Sequence, residues 1–155
     1  MQSKEDIKKI LLKKFPDHFL FFKEEYDEIN IKKNDVLEVL LALKEDQNLQ
    51  YDQLIDLTAI DYPSRENRFD IVYILLSMTQ NKRMIVKTSL KEGENIDSIT
   101  SIHKSSDWYE RECYDLFGIM FLNHPDLRRI MTDYNFEGHP LRKDFPLTGH
   151  TEVRY

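Results

Sequence analysis

Between Trp108 and His150 the chain concentrates the residue types that do chemistry: its only Trp and only Cys, three of its five His and three of its four Gly. Three chemistries are open to such a stretch. His124, His139 and His150, with Cys113 and nearby Asp, could ligate a metal. However, no pair has the i, i+4 helical spacing or the Cys-x-x-Cys spacing that makes a metal site specific. Glu110 and Glu112 could act as paired carboxylates, but on a helix they stand about 200° apart and face different ways. Cys113 could be a nucleophile, yet it lacks a base signature and sits between charged residues on a predicted helix, where packing suits it better. Arg111 and Asp115, at i and i+4, are expected to pair on the helix surface. Neither a glycine-rich phosphate loop nor a Gly-x-Ser-x-Gly elbow is present, and four glycines leave little backbone to cradle a nucleotide.

The remaining chemistry is recognition. Gly138-His139-Pro140-Leu141-Arg142-Lys143-Asp144-Phe145-Pro146-Leu147 cannot form a long helix or a central strand, because its prolines fix dihedrals and remove donors. It mixes apolar anchors (Leu141, Phe145, Leu147) with Arg142, whose planar fork suits bidentate carboxylate binding. A segment of this kind is expected to lie on another protein. That it packs back on its own domain is the open alternative.

The elements that must position this stretch can be read in order. Ser3 caps a helix whose Ile7, Ile10, Leu11 and Phe15 share a face and which Pro16 stops. Phe19–Phe22 and 28–32 read as short strands. Asn34 or Asp35 caps a second helix with Val36, Leu37, Leu40, Leu41 and Leu43 on its buried stripe. Leu54–Asp61, Phe69–Ser77 and 83–90, joined by short polar turns, read as an antiparallel meander covered by the two helices. Ile96, Ile99 and Ile102 recur at a spacing of three and predict a short helix. Asp107 is expected to cap a helix that ends at Gly118, and a further helical turn is expected at 126–131. The fold class is therefore α+β: a small antiparallel sheet covered by helices over 1–122, followed by an extended C-terminal arm over 123–155.

With 155 residues, 41% hydrophobic and 32% charged, the chain can bury a real core. A net charge of −6 argues against nucleic-acid binding, and no apolar run approaches the ~20 residues of a membrane span. A single Cys excludes a multi-cysteine cluster within the chain.

Trp108-Tyr109-Glu110-Arg111-Glu112, Asp115, Phe117-Gly118, the run from His124 to Ile130, the run from Gly138 to Asp144, and Pro146 together resemble one family. It is the 30 kDa-type subunit of proton-pumping NADH:quinone oxidoreductase (respiratory complex I). The runs 54–62 and 68–73 resemble the same family's sheet, so the likeness covers roughly residues 36 to 155. Asp61-Tyr62-Pro63-Ser64-Arg65 and Asn123-His124-Pro125 most resemble the mitochondrial members. The resemblance implies a peripheral-arm subunit with no catalytic residues, metal or cofactor of its own, FMN and iron–sulfur clusters being held by partner subunits. It implies contact with the quinone-site large subunit and iron–sulfur subunits through Trp108, Glu110, Arg111, Asp115, Arg128, Arg129, His139, Arg142, Lys143 and Asp144. It also implies a place on the matrix side of the mitochondrial inner membrane, or on the cytoplasmic side of a bacterial plasma membrane. Members of that family usually continue past the position of Tyr155 with a charged extension, whose contacts are not carried over. The rivals are the equivalent subunit of a chloroplast-type plastoquinone reductase or membrane-bound hydrogenase, and a free-standing metal hydrolase using His124, His139 and His150.

Overall fold

Local chemistry starts the chain as its sequence suggests. In the computed structural model, which describes residues 3–132 and 137–144, the Ser3 hydroxyl accepts the Asp6 N–H while the Asp6 carboxylate accepts the Ser3 N–H. This capping box starts helix α1 (Lys4–Lys14), whose Ile7 and Leu11 are buried. After Pro16 come strands β1 (Phe19–Phe22) and β2 (Tyr26–Asn30), then a 3-10 turn at Lys33–Asp35 and helix α2 (Val36–Glu45). Asp35 holds the N-cap position of α2 without a side-chain bond. Strands β3 (Gln53–Asp61), β4 (Phe69–Ser77) and β5 (Lys82–Leu90) follow as an antiparallel meander. The β3–β4 register shifts between Leu54 and Asp56, leaving Ile55 as a bulge.

The five strands lie in the order β1-β2-β5-β4-β3. The sheet is mixed rather than wholly antiparallel, because β2 runs parallel to β5, with Glu28 opposite Ile85 and Ile29 opposite Val86. The reason is topological: α2 and the β3–β4 hairpin separate the two partners, so no short turn dictates their direction. The apolar faces of α1, α2 and the sheet meet in one core that includes Leu11, Ile29, Leu40, Tyr73, Leu75 and Val86.

A second, smaller sheet departs from the sequence pattern. Residues Asn95–Asp97 form β6, paired parallel with β7 (Met120–Leu122), where the spacing of Ile96, Ile99 and Ile102 predicts a helix. Ile96 is opposite Phe121, and the Ser98 N–H extends the pairing to the Leu122 carbonyl at 2.8 Å. Partners 25 positions apart override a three-residue rhythm that only one local turn, from Ile99 to His103, obeys.

Helix α3 (Ser106–Phe117) ends at Gly118, whose φ of 78° is the left-handed cap expected there. It starts one residue before Asp107, so that Asp lies in the first turn instead of capping. Because β3 is an edge strand, its outward carbonyls need cover. α3 supplies it: the Tyr109 hydroxyl donates to the Ile55 carbonyl at 2.8 Å, and the Cys113 thiol lies 3.8 Å from the Leu57 carbonyl. The helical turn expected at 126–131 is absent. The Ile130, Met131 and Thr132 amides point to the Asp115 carboxylate instead of to preceding carbonyls.

Candidate functional site

The charged residues of α3 are mostly consumed within the chain. Asp115 is fully buried and its Oδ2 accepts three consecutive backbone N–H groups, from Ile130 at 3.1 Å, Met131 at 2.7 Å and Thr132 at 2.9 Å. Its Oδ1 accepts the Thr132 hydroxyl at 2.5 Å and faces Arg129 Nε at 3.3 Å. Burial alone would raise this carboxyl; the Thr132 hydroxyl and the three amides outweigh it and hold it below the usual carboxylate range. Asp115 thus pins the arm, and the expected pair with Arg111 does not form. Arg111 turns back to Asp107 Oδ1 at 2.9 Å, meets Asp126 Oδ2 at 3.4 Å, and lies over the Trp108 ring at 5.0 Å. Helical spacing offers Arg111 both i±4 partners; the loop amides and Arg129 claim Asp115.

Where α3 ends, the arm returns. The Leu141 N–H donates to the Leu116 carbonyl at 3.0 Å, and Arg142 Nε donates to the Phe117 carbonyl at 2.6 Å, so two orphan C-terminal carbonyls of α3 are satisfied by the arm. His139 lies against Gly118: a Cβ there would stand 2.7 Å from its ring. Its Nδ1 is 2.9 Å from the Asp115 carbonyl, and Arg129 reaches both this nitrogen and the Gly138 carbonyl. Burial, aided by the charges of Arg129 and Arg142, pushes the His139 imidazole below its ordinary value against the pull of that carbonyl.

A second clasp joins the arm to the sheet, and its two sheet residues, Asp61 and Arg68, are not among those that the sequence motifs single out as a site. Arg68 grips Asp61 in bidentate fashion, Nε to Oδ1 at 2.7 Å and Nη2 to Oδ2 at 2.9 Å, and also meets Glu92 at 3.2 Å and Asp144 at 3.1 Å. Asp61 Oδ2 accepts the Lys143 N–H at 2.7 Å as well. Arg142 shares Glu92 at 3.3 Å, and both guanidiniums lie 5.2 Å from the Phe69 ring. The Arg68 hydrogen bonds are the main reason the Asp61 and Asp144 carboxyls lie below their usual range. A signal for this clasp exists in the chain: Asp61 ends β3 and Arg68 immediately precedes β4, so an antiparallel hairpin across the Pro63 turn brings them together.

The ten residues expected at an interface therefore divide. Glu110, Arg111 and Asp115 are buried inside the chain. Arg129, His139 and Arg142 are half-buried braces of the arm, while Trp108, Arg128, Lys143 and Asp144 are exposed. The open face is a shallow groove lined by Trp108, Arg111, Tyr114, Leu127, Arg128 and Ile130, with Met131 exposed beyond it. No cluster of three His, Cys, Asp or Glu that could hold a metal occurs among the described residues. His124 spends Nδ1 on the Asp126 N–H at 2.9 Å and Nε2 on Asp107 at 3.1 Å. His150, Phe145, Pro146, Leu147 and the rest of 145–155 lie outside the described residues. Burial raises the Cys113 thiol, which suits packing. No described helix is long and apolar enough to cross a membrane.

An Asp at the end of β3 gripped by an Arg before β4, and an Arg-Lys-Asp arm closing over them, lie within the stretch that decides kinship. Residues 29–151 match the family described as respiratory-chain NADH dehydrogenase, 30 Kd subunit. The chain belongs to that family. It is 49% identical over 142 residues to a subunit of the NADH-quinone oxidoreductase of Cereibacter sphaeroides, covering 90% of this chain and 71% of that protein. It is 53% identical over 144 residues to the mitochondrial NADH dehydrogenase [ubiquinone] iron-sulfur protein 3 of Candida albicans, covering 93% of this chain and 51% of that one. Against these two curated relatives, the chain spans between 51% and 71% of their length. In the solved membrane-bound sulfane sulfur reductase, an archaeal respiratory membrane complex, one chain superposes with a TM-score of 0.82 at 24% identity, over 94% of this chain and 87% of that one. This last likeness speaks to the fold of the 30 kDa family, which is thus shared with a different respiratory complex.

Proposed function

We propose that the chain is a non-catalytic structural subunit of the peripheral arm of NADH:ubiquinone oxidoreductase, supporting electron transfer from NADH to quinone coupled to proton translocation. The observation that carries this reading is the family match over residues 29–151. The site geometry supports the structural role, since Asp115 and Arg111 of α3 are spent on holding the returning chain in place. In this reading the arm and α3 form one rigid platform. Trp108, Arg128, Lys143 and Asp144 touch the quinone-site large subunit and iron–sulfur subunits directly, and Glu110, Arg111, Asp115, Arg129, His139 and Arg142 act by shaping that platform. FMN and the iron–sulfur clusters reside in those partners. The mitochondrial relative supports a mitochondrial setting and the bacterial one a bacterial respiratory complex; the matrix side of the inner membrane, or the cytoplasmic side of a bacterial plasma membrane, is the side this reading assigns.

The test is purification through a tag on this chain from mildly solubilised membranes, with identification of partners and an NADH:quinone assay. Recovery of an active flavin and iron–sulfur complex is expected. A complex active with another donor or acceptor would assign the chain to a related reductase, which the fold shared with the sulfane sulfur reductase chain makes the second reading. The chain recovered alone would refute the subunit role.

A further inference from the structure

Glu110 is the one acid of α3 that neither braces the arm nor reaches solvent. It is fully buried, and it fastens α3 to the segment that follows β6. Three donors converge on a single oxygen: Oε2 accepts the Ser106 hydroxyl at 2.5 Å, the Ser98 hydroxyl at 3.2 Å and the Ile99 N–H at 3.2 Å. The other oxygen, Oε1, is buried and has no hydrogen-bond partner among the described residues. Among those residues Glu110 also has no ion-pair partner, in contrast to Asp61 and Asp115.

An ionised carboxylate spreads its charge over both oxygens and leaves neither unsolvated without a large desolvation cost. A neutral acid distinguishes them: one is a carbonyl that accepts, the other carries the proton. With no countercharge among the described residues, the neutral form avoids burying an unpaired charge, at the smaller cost of an Oε1 proton that has no acceptor there. We infer that Glu110 is a protonated latch, a neutral carboxylic acid at neutral pH with its proton on Oε1, and that its ionisation loosens α3 from the Ser98–Ile99 segment.

The groups that face it fit this assignment. From β4 comes the Tyr73 hydroxyl, buried and without a hydrogen-bond partner among the described residues; from β6, Asp97 acts on the same Tyr73; from α3 itself comes the buried Cys113 thiol. Burial keeps the Tyr73 hydroxyl and the Cys113 thiol neutral, so neither brings a positive charge that would stabilise an ionised Glu110. The imidazole of His124, beyond β7, pulls the other way. Burial outweighs it and the three donors together, and raises the Glu110 carboxyl above its ordinary value.

The sign of the consequence is opposite to that of the surface acids. The folded chain keeps a proton that the unfolded chain releases, so stability falls as pH rises from the unfolded glutamate value, about 4.3, through the raised folded one, and is level above it. Two measurements on the full chain test the latch. In wild-type chain labelled with 13C at glutamate side-chain carboxyls, one resonance is expected at the neutral-acid position at pH 7; all glutamates at the carboxylate position would overturn the proposal without any variant. Glu110→Gln, which keeps an accepting oxygen and is neutral, is expected to remove that resonance. It should also melt higher than wild type at pH 8, by roughly 3 °C for each unit of the raised carboxyl, with the gap closing by pH 5. A Glu110→Gln chain that melts lower than wild type by the same margin at both pH values would mean that the ionised carboxylate is what the fold requires.

Discussion

Gly118 carries two constraints at once, and they can be separated. Its φ of 78° disfavours any side chain, and a Cβ would press on the His139 ring at 2.7 Å and stand 3.0 Å from Arg142 Nη2. Gly93 has a similar φ of 85° with nothing near. Gly93→Ala is therefore expected to cost about 1 kcal/mol and Gly118→Ala about 2–4 kcal/mol, the excess being the displaced arm. Thermal unfolding of both variants checks this, and equal losses would mean the arm yields freely. Asp115 supplies a pH-dependent counterpart. Its carboxyl is held low when folded, so its contribution is fully present above the unfolded value of about 3.9 and is lost as pH falls through the lower folded value. Asp115→Asn should be less stable than wild type at pH 7 by about 1–3 kcal/mol and show a shallower acid limb. If the acid limb is unchanged, the stabilisation resides in Asp61 instead.

At the scale of elements, the Asp61–Arg68 pair joins β3, β4 and the arm. Both side chains are almost fully buried, so removing one charge strands the other. Arg68→Leu or Asp61→Asn alone is expected to cost about 3–5 kcal/mol, and the double variant clearly less than the sum, measured as a double-mutant cycle by denaturant unfolding. Additive losses would show that the two act independently. The same clasp marks where sequence reasoning works and where it fails. The Ser3 capping box, Phe19–Phe22, Phe69–Ser77 and the Gly118 cap are legible because a few adjacent residues determine each. The β2–β5 pairing, the β6–β7 sheet and the nest of amides on Asp115 are not, because each joins residues 15 or more positions apart through backbone groups that every residue possesses. Arg111 illustrates the boundary: its helical spacing offers Asp107 and Asp115 equally, and only the returning loop decides between them.

For the whole molecule, the useful distinction is between residues that hold the platform and residues the platform offers. Trp108 is 62% exposed and its ring meets the Arg111 guanidinium, so Trp108→Ala should change the chain's own stability by no more than about 0.5 kcal/mol. Arg142 caps α3 at Phe117 and meets Glu92, so Arg142→Ala should lower the chain's stability by about 1–3 kcal/mol. If the chain works within a larger complex, both should lower the abundance of the assembled complex, but by different routes. Large exposed aromatics contribute disproportionately when an interface buries them, so Trp108→Ala acts on docking with the fold intact. Arg142→Ala acts through the fold, and a temperature drop that restores the chain's folded fraction should restore its assembly too. Native gels of solubilised membranes, read beside the melting curves of the purified chains, distinguish the two. Full assembly with Trp108→Ala would remove the groove beside α3 from the interface, and a cold-insensitive defect in Arg142→Ala would make that guanidinium a direct contact rather than a brace.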